Sequence, residues 1–230
     1  MRALTLPEGV EPLRVLCLGA HSDDIEIGCG ATVLELTARR PVEVTWVVFS
    51  GNAAREREAR RGAKLFLARA ARAEVIVRSF RDGFFPFTGA EIKEFFETLT
   101  RVDPHMIFTH FRNDRHQDHR LVSDLTWNTF RDHLVVEYEI PKYDGDLGAP
   151  DLFVPVSAAN AVRKVRHLQT VFATQRDRHW FADETFLGLM RIRGLECRAP
   201  EHYAEAFYSR KAVLDLSPAE KSAARARRSR

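Results

Sequence analysis

Short runs of apolar and β-branched residues alternate along the chain with longer stretches that repeat every three to four positions. Arg14–Ala20, Val42–Phe49, Glu74–Val77, His105–Thr109 and Leu134–Ile140 read as strands. In the first two nearly every residue is apolar, as in a strand covered on both faces. Between them, Ala31–Arg40 (stopped by Pro41), Ala53–Ala70, Glu91–Thr100 and Leu121–His133 carry helical periodicity. Ser157–Thr170 and Asp183–Arg193 read as two further helices, and Tyr203–Phe207 as a last strand. The Pro/Gly/Asp-rich stretch Pro141–Pro155 reads as one long loop, of the kind that often carries function. Strands alternating with helices predict parallel pairing through right-handed crossovers. The expected fold is therefore α/β: a Rossmann-like, doubly wound, mainly parallel sheet with helices on both faces, in a single domain over 1–216.

Composition changes this picture little. The chain has 230 residues, 45% of them apolar and 29% charged, which is enough for one large core. The net charge of +3 is unevenly placed: five basic residues against Glu220 give the last fourteen positions +4, so the remainder sums to −1. The pI of 8.9 thus describes a basic tail (217–230, expected to be disordered), and nucleic-acid binding is not expected of the body. Three widely spaced cysteines, Cys17, Cys29 and Cys197, imply no disulfide framework. Glu8 and Glu11 interrupt the start where a signal peptide needs an apolar stretch, and no apolar run has the length of a membrane span. A cytoplasmic protein is the expectation, with its oligomeric state open to self-association.

The candidate chemistry lies in two clusters, each just after a predicted strand. His21-Ser22-Asp23-Asp24 follows RVLCLGA, and His116-Gln117-Asp118-His119 follows HMIFT and His110. Doubly wound sheets bind ligands at the carboxyl ends of their strands, near the point where strand order reverses. If the two strands are neighbours there, the clusters face one crevice. His21, Asp24 and His119 then make a three-ligand site that leaves a position open, as catalytic zinc sites do, although iron(II) or cobalt suits the same donors. Asp23 is placed to take a proton from water. His116 would protonate a leaving group or stabilise an oxyanion, with Asp118 as its orienting partner. Taken singly, each of these residues also fits a plainer role: Asp23-Asp24 suits an N-cap pair, and 112–120 suits a solvated charged loop.

HSDDIEIGCGAT at 21–32 resembles the AHPDD…GCGGT signature of the PIG-L/LmbE-like N-acetylglucosamine deacetylases, and DRHQDHR at 114–120 resembles their D-x-H-x-D-H signature. Arg55–Ala59, Arg81-Asp82-Gly83 and Tyr203–Phe207 look like further family segments. The resemblance implies a Zn2+-dependent hydrolase that removes acetyl from an N-acetylated amino sugar. It matches His21, Asp24 and His119 to the metal ligands, Asp23 to the general base, and His116 with Asp118 to the pair acting at the tetrahedral intermediate. Arg55 and Asp82 fall where family members meet sugar hydroxyls. Ser22 and Ala31 depart from the family's Pro and Gly, and neither is a ligand position. Lys142 and Tyr143, in the 138–147 loop, are further candidates for substrate contact. Two rival readings are a de-N-acylase of a non-sugar amine and a metal-binding partner protein without activity.

Overall fold

The computed structural model describes residues 12–213, so the expected tail at 217–230 lies outside the described residues. Seven strands form one sheet: β1 (Leu13–Gly19), β2 (Val42–Val48), β3 (Arg72–Val77), β4 (Met106–His110), β5 (Leu134–Tyr138), β6 (Leu152–Val156) and β7 (Tyr203–Tyr208). Their spatial order is β3-β2-β1-β4-β5-β7-β6. The first five pair in parallel; β7 runs antiparallel to both β5 and β6.

Alternation along the central strands sends side chains to opposite faces of the sheet. Leu13, Val15 and Cys17 of β1 join one apolar cluster, while Leu16 and Leu18 join the other. The first cluster is covered by α1 (Asp24–Arg39), α2 (Ala53–Phe66), α5 (Ala158–Val171) and α6 (Asp183–Cys197); α3 (Gly89–Leu99) and α4 (Gln117–Thr129) cover the second. The mainly parallel α/β fold with helices on both faces is therefore present. Among the described residues no helix is long and apolar enough to cross a membrane.

Three elements differ from expectation. Leu152–Val156, read as loop, is the edge strand β6. Its Pro155 is tolerated there because an edge position can do without one ladder N–H. Helix α1 begins at Asp24, seven residues earlier than the Ala31 start, and runs straight through Gly28-Cys29-Gly30. These glycines allow close packing: a Cβ on Gly28 would lie 2.1 Å from the Tyr138 ring, and one on Gly30 would lie 2.5 Å from Phe66. Helix α4 likewise starts at Gln117 rather than Leu121, with His116 as its N-cap.

Mid-helix, α1 also meets a buried ion pair. The Glu205 carboxylate of β7 accepts from the Ala31 and Thr32 amides at 3.0 and 2.6 Å, and Lys164 of α5 donates to the Ile27 carbonyl. Lys164 and Glu205 are themselves 2.6 Å apart, so each charge is paired and hydrogen-bonded. This clamp fixes α1, and the loop before it, against the antiparallel end of the sheet.

The sheet order reverses between β1 and β4: the chain moves outward to β2 and β3 on one side, and to β5 on the other. The loops leaving β1 and β4 thus open side by side at the carboxyl edge of the sheet.

Candidate metal centre and active site

Both signature clusters sit at this reversal. The β1–α1 turn presents His21, with the Asp24 side chain accepting the His21 amide N–H at 2.6 Å, so the turn is closed by its own carboxylate. The β4–α4 loop presents His116 as N-cap and His119 in the first turn of α4. His21 Nδ1 lies 3.1 Å from His119 Nε2 and 3.4 Å from Asp24 Oδ2, and His119 Nε2 lies 3.6 Å from Asp24 Oδ1. Ligands held ~2.0–2.1 Å from a tetrahedral ion stand roughly 3.3 Å from one another. Among the described residues, two donor sets sharing His119 are compact enough to hold one ion: His21, His116 and His119, and Asp24, His110 and His119.

Behind each imidazole stands a carboxylate. Asp114 Oδ2 is 2.9 Å from His119 Nδ1, and Asp118 Oδ2 and Asp82 Oδ1 are 3.3 and 3.1 Å from His21 Nε2. Such partners orient a ligating ring and raise its basicity. Asp114 in turn accepts from Lys142 Nζ at 2.8 Å, and Lys142 also reaches Asp146 at 2.6 Å. A fourth imidazole, His110 of β4, is wholly buried; its Nε2 is 3.2 Å from Asp24 Oδ2 and its ring stacks on His119 at 3.9 Å.

Asp23 points elsewhere. Its Oδ1 accepts from Arg55 Nη2 at 2.7 Å, and Arg55 is held by Glu58 and Thr174, at 3.3 and 3.0 Å. Glu58 accepts from both the amide and hydroxyl of Thr174, tying α2 to the segment after α5.

Electrostatics follow from burial and these pairs. Burial raises the Asp23 carboxyl above its ordinary range, against the opposing pull of Arg55. Asp24 goes the other way: although burial opposes it, the imidazoles of His119, His110 and His21 hold it well below that range. Burial, reinforced by His110, lowers His119 to about 3, so its ring is neutral and free to ligate. His116 is also lowered, by burial first and then by His21. Burial likewise opposes His21, but Asp24, Asp118 and Asp82 outweigh it and raise its pKa.

The structure thus brings together His21, Asp23, Asp24, Arg55, Asp82, His116, Asp118 and His119. Two residues differ in role from expectation. The Asp118 carboxylate, expected on His116, instead accepts the Gly83 and Phe85 amides at 2.6 and 3.1 Å and faces His21; His116 Nδ1 accepts the Asp118 backbone amide. The turn after β3 supplies two donors on Asp118's side of α4, and these win the carboxylate. Lys142, expected to meet substrate, has only 10% of its side chain exposed and spends its charge on Asp114 and Asp146. Tyr143 beside it is 68% exposed. Sequence reasoning overlooked Asp114 and Glu58. Asp114 opens the second signature, five positions before His119, whereas nothing in the sequence links Glu58 to Thr174.

Comparison with known proteins extends this geometry. Residues 16–130, half of the chain, match the family model PIG-L, described as GlcNAc-PI de-N-acetylase. No curated protein sequence matches. Among solved structures, the conserved protein TT1542 from Thermus thermophilus is similar with a TM-score of 0.70 at 21% identity, over 89% of this chain and 97% of that one. N,N'-diacetylchitobiose deacetylase from Pyrococcus horikoshii is similar at 0.66 and 20% identity, over 84% and 82%. The 4-carboxy-2-hydroxymuconate hydratase GalB from Pseudomonas putida is similar at 0.69 and 18% identity, over 90% and 99%. At these identities the likeness is one of fold, and the fold hosts more than one reaction. The match spans β1 through α4, the segment that holds both clusters, and on that match the chain belongs to the PIG-L family.

Proposed function

We propose that the protein is a metal-dependent N-deacetylase acting on an N-acetylated amino sugar or its conjugate, with zinc as the ion. The observation that carries this reading is the approach of His21, Asp24 and His119 to within 3.1–3.6 Å of one another, beside a buried, Arg-held carboxylate, Asp23. A divalent ion bound by those three residues supplies Lewis acidity, which makes water nucleophilic near neutral pH and polarises a carbonyl.

The chain's own groups do the rest. Asp23, its pKa raised by burial, takes the proton of the attacking water, and Arg55 keeps its carboxylate aimed. Water adds to the acetamide carbon and the C–N bond breaks, giving acetate and a free amine. His116, at the N-cap of α4, stands beside both rings: its ring centroid is 4.8 Å from that of His21 and 4.6 Å from that of His119. Burial and His21 lower the His116 pKa, which makes its N–H a ready donor; the proton Asp23 takes from water is the one returned, through His116, to the departing amine. Asp82, 73% exposed at its side chain and 3.1 Å from His21 Nε2, and Arg55, on Asp23, are the groups we assign to sugar hydroxyls.

Zinc analysis and acetate release, measured together on N-acetylglucosamine derivatives, test the reading. Asp23→Ala is expected to retain stoichiometric zinc while kcat falls by about 10²–10⁴. His119→Ala is expected to lose the metal. Full activity in zinc-loaded Asp23→Ala protein would refute the mechanism. Acetate from other acyl amines but not from sugars would move the substrate class to non-sugar amides, and consumption of water without acid release would point to hydration.

A further inference from the structure

Arg55 and Glu58 stand three positions apart on α2, so both side chains leave the same face of that helix. At a surface such a pair contributes little, because water screens it. This one is enclosed: the two side chains are 16% and 11% exposed, and a third group meets them from far along the chain. Phe172, fully buried, ends α5, and the chain then makes one 3-10 turn, Ala173–Gln175, which brings Thr174 to both residues. The Thr174 amide N–H donates to Glu58 Oε1 at 2.9 Å, and its hydroxyl donates to Glu58 Oε2 at 2.7 Å. A hydroxyl has one proton and two lone pairs. With the proton given to Glu58, the lone pairs accept from Arg55 Nη1 at 3.0 Å and from Gln175 Nε2 at 3.2 Å. Arg55 Nη1 also reaches Glu58 Oε2 at 3.3 Å.

A guanidinium is planar, so holding one of its nitrogens sets the direction of the others. Two acceptors hold Arg55 Nη1, and Nη2 is thereby turned onto Asp23 Oδ1 at 2.7 Å. We infer that Thr174, with Glu58, is a positioning residue: it aims Arg55, and through Arg55 the Asp23 carboxylate that takes the proton of water. The inference rests on the deacetylase reading and adds to that site a residue 119 positions from Arg55. A purely structural tie between α2 and the segment after α5 needs only the Thr174 amide; the hydroxyl is the part that meets Arg55.

Thr174→Val removes that hydroxyl and keeps the amide, and acetate release from N-acetylglucosamine by the zinc-loaded protein reads the result. In this variant kcat and kcat/KM are expected to fall together by about tenfold, the scale of one hydrogen bond to a charged group, with zinc stoichiometric and Tm unaltered. Thr174→Ser, which restores the hydroxyl, is expected to recover most of that loss. In Arg55→Ala protein, Thr174→Val is expected to make no further difference, because its effect passes through the guanidinium. An unchanged kcat in Thr174→Val, a loss that serine does not recover, or a full tenfold loss added to that of Arg55→Ala overturns the role. So does a fall in kcat that matches a fall in zinc content or Tm, which would make Thr174 a structural tie. A higher KM at unaltered kcat overturns it too, by putting the hydroxyl on substrate. In each of those cases the unsubstituted protein still releases acetate. If it releases none with zinc bound, the deacetylase reading fails and the role of Thr174 with it.

Discussion

Asp118 shows how much hangs on a single carboxylate's partner. Facing His21 Nε2 at 3.3 Å and held by two backbone amides, it supports a proposed metal ligand; on His116 it would support the proposed proton donor. The two roles predict different failures. Asp118→Asn is expected to weaken zinc affinity by about 10–100-fold, measured by competition with a chromophoric chelator. If zinc affinity is unchanged and only the pH dependence of kcat moves, His116 is its true partner. Asp114, at 2.9 Å from His119, stands in the same relation to the second imidazole, and its neutralisation by Lys142 shows why a lysine on the β5 loop is buried rather than offered to substrate.

At the scale of elements, α1 is the part on which the site depends, because it carries Asp24 at its first position and packs through glycines. The buried Tyr138 ring leaves no room for a methyl group at Gly28, so Gly28→Ala is expected to lower stability by about 1–3 kcal/mol in denaturant unfolding, with a matching loss of zinc occupancy. The other end of α1 anchors α5: Glu35 accepts from the Ser157 amide and hydroxyl at 2.9 and 2.6 Å and from Asn160 at 2.8 Å. Burial opposes ionisation of Glu35, but these bonds and Arg39 outweigh it and lower its pKa. A carboxyl whose pKa is lower in the folded state stabilises the protein above the ordinary glutamate range, and that contribution is lost as pH falls through the folded value. Glu35→Gln should therefore cost about 1–2 kcal/mol at neutral pH, and its gap from the unsubstituted protein should close on acidification. A gap independent of pH would show that the charge does not matter.

Across the whole molecule, the proposed metal ligands His21 and His119 join the β1–α1 turn to the start of α4, 98 positions apart in sequence. An ion held there binds the folded chain alone, so removing it is expected to lower Tm. At a free concentration one hundred times Kd the stabilisation is about 2.7 kcal/mol. A thermal melt with and without chelator checks this, and His119→Ala protein should show no chelator effect.

The chain's own pattern of residues determined most of the architecture. Period-2 and period-3.6 repeats are local properties, and strands alternating with helices leave few topologies open, so the parallel sheet and the placing of both clusters at strand ends were legible. So was the clustering of His21, Asp23, Asp24 and His119, because candidate metal ligands and a candidate base come as recognisable residue types in short runs. Two boundaries were not legible: Pro155 is tolerated in β6 by its edge position, and α1 extends ahead of Ala31 through Gly28 and Gly30 because neighbouring rings pack against them. Tertiary structure alone decided which carboxylate meets which imidazole. Hydrogen bonds go to the nearest competing donor in space, and the donors that capture Asp118, Asp114 and Glu58 come from the turn after β3, the loop after β5 and the segment after α5, whose proximity no local pattern encodes.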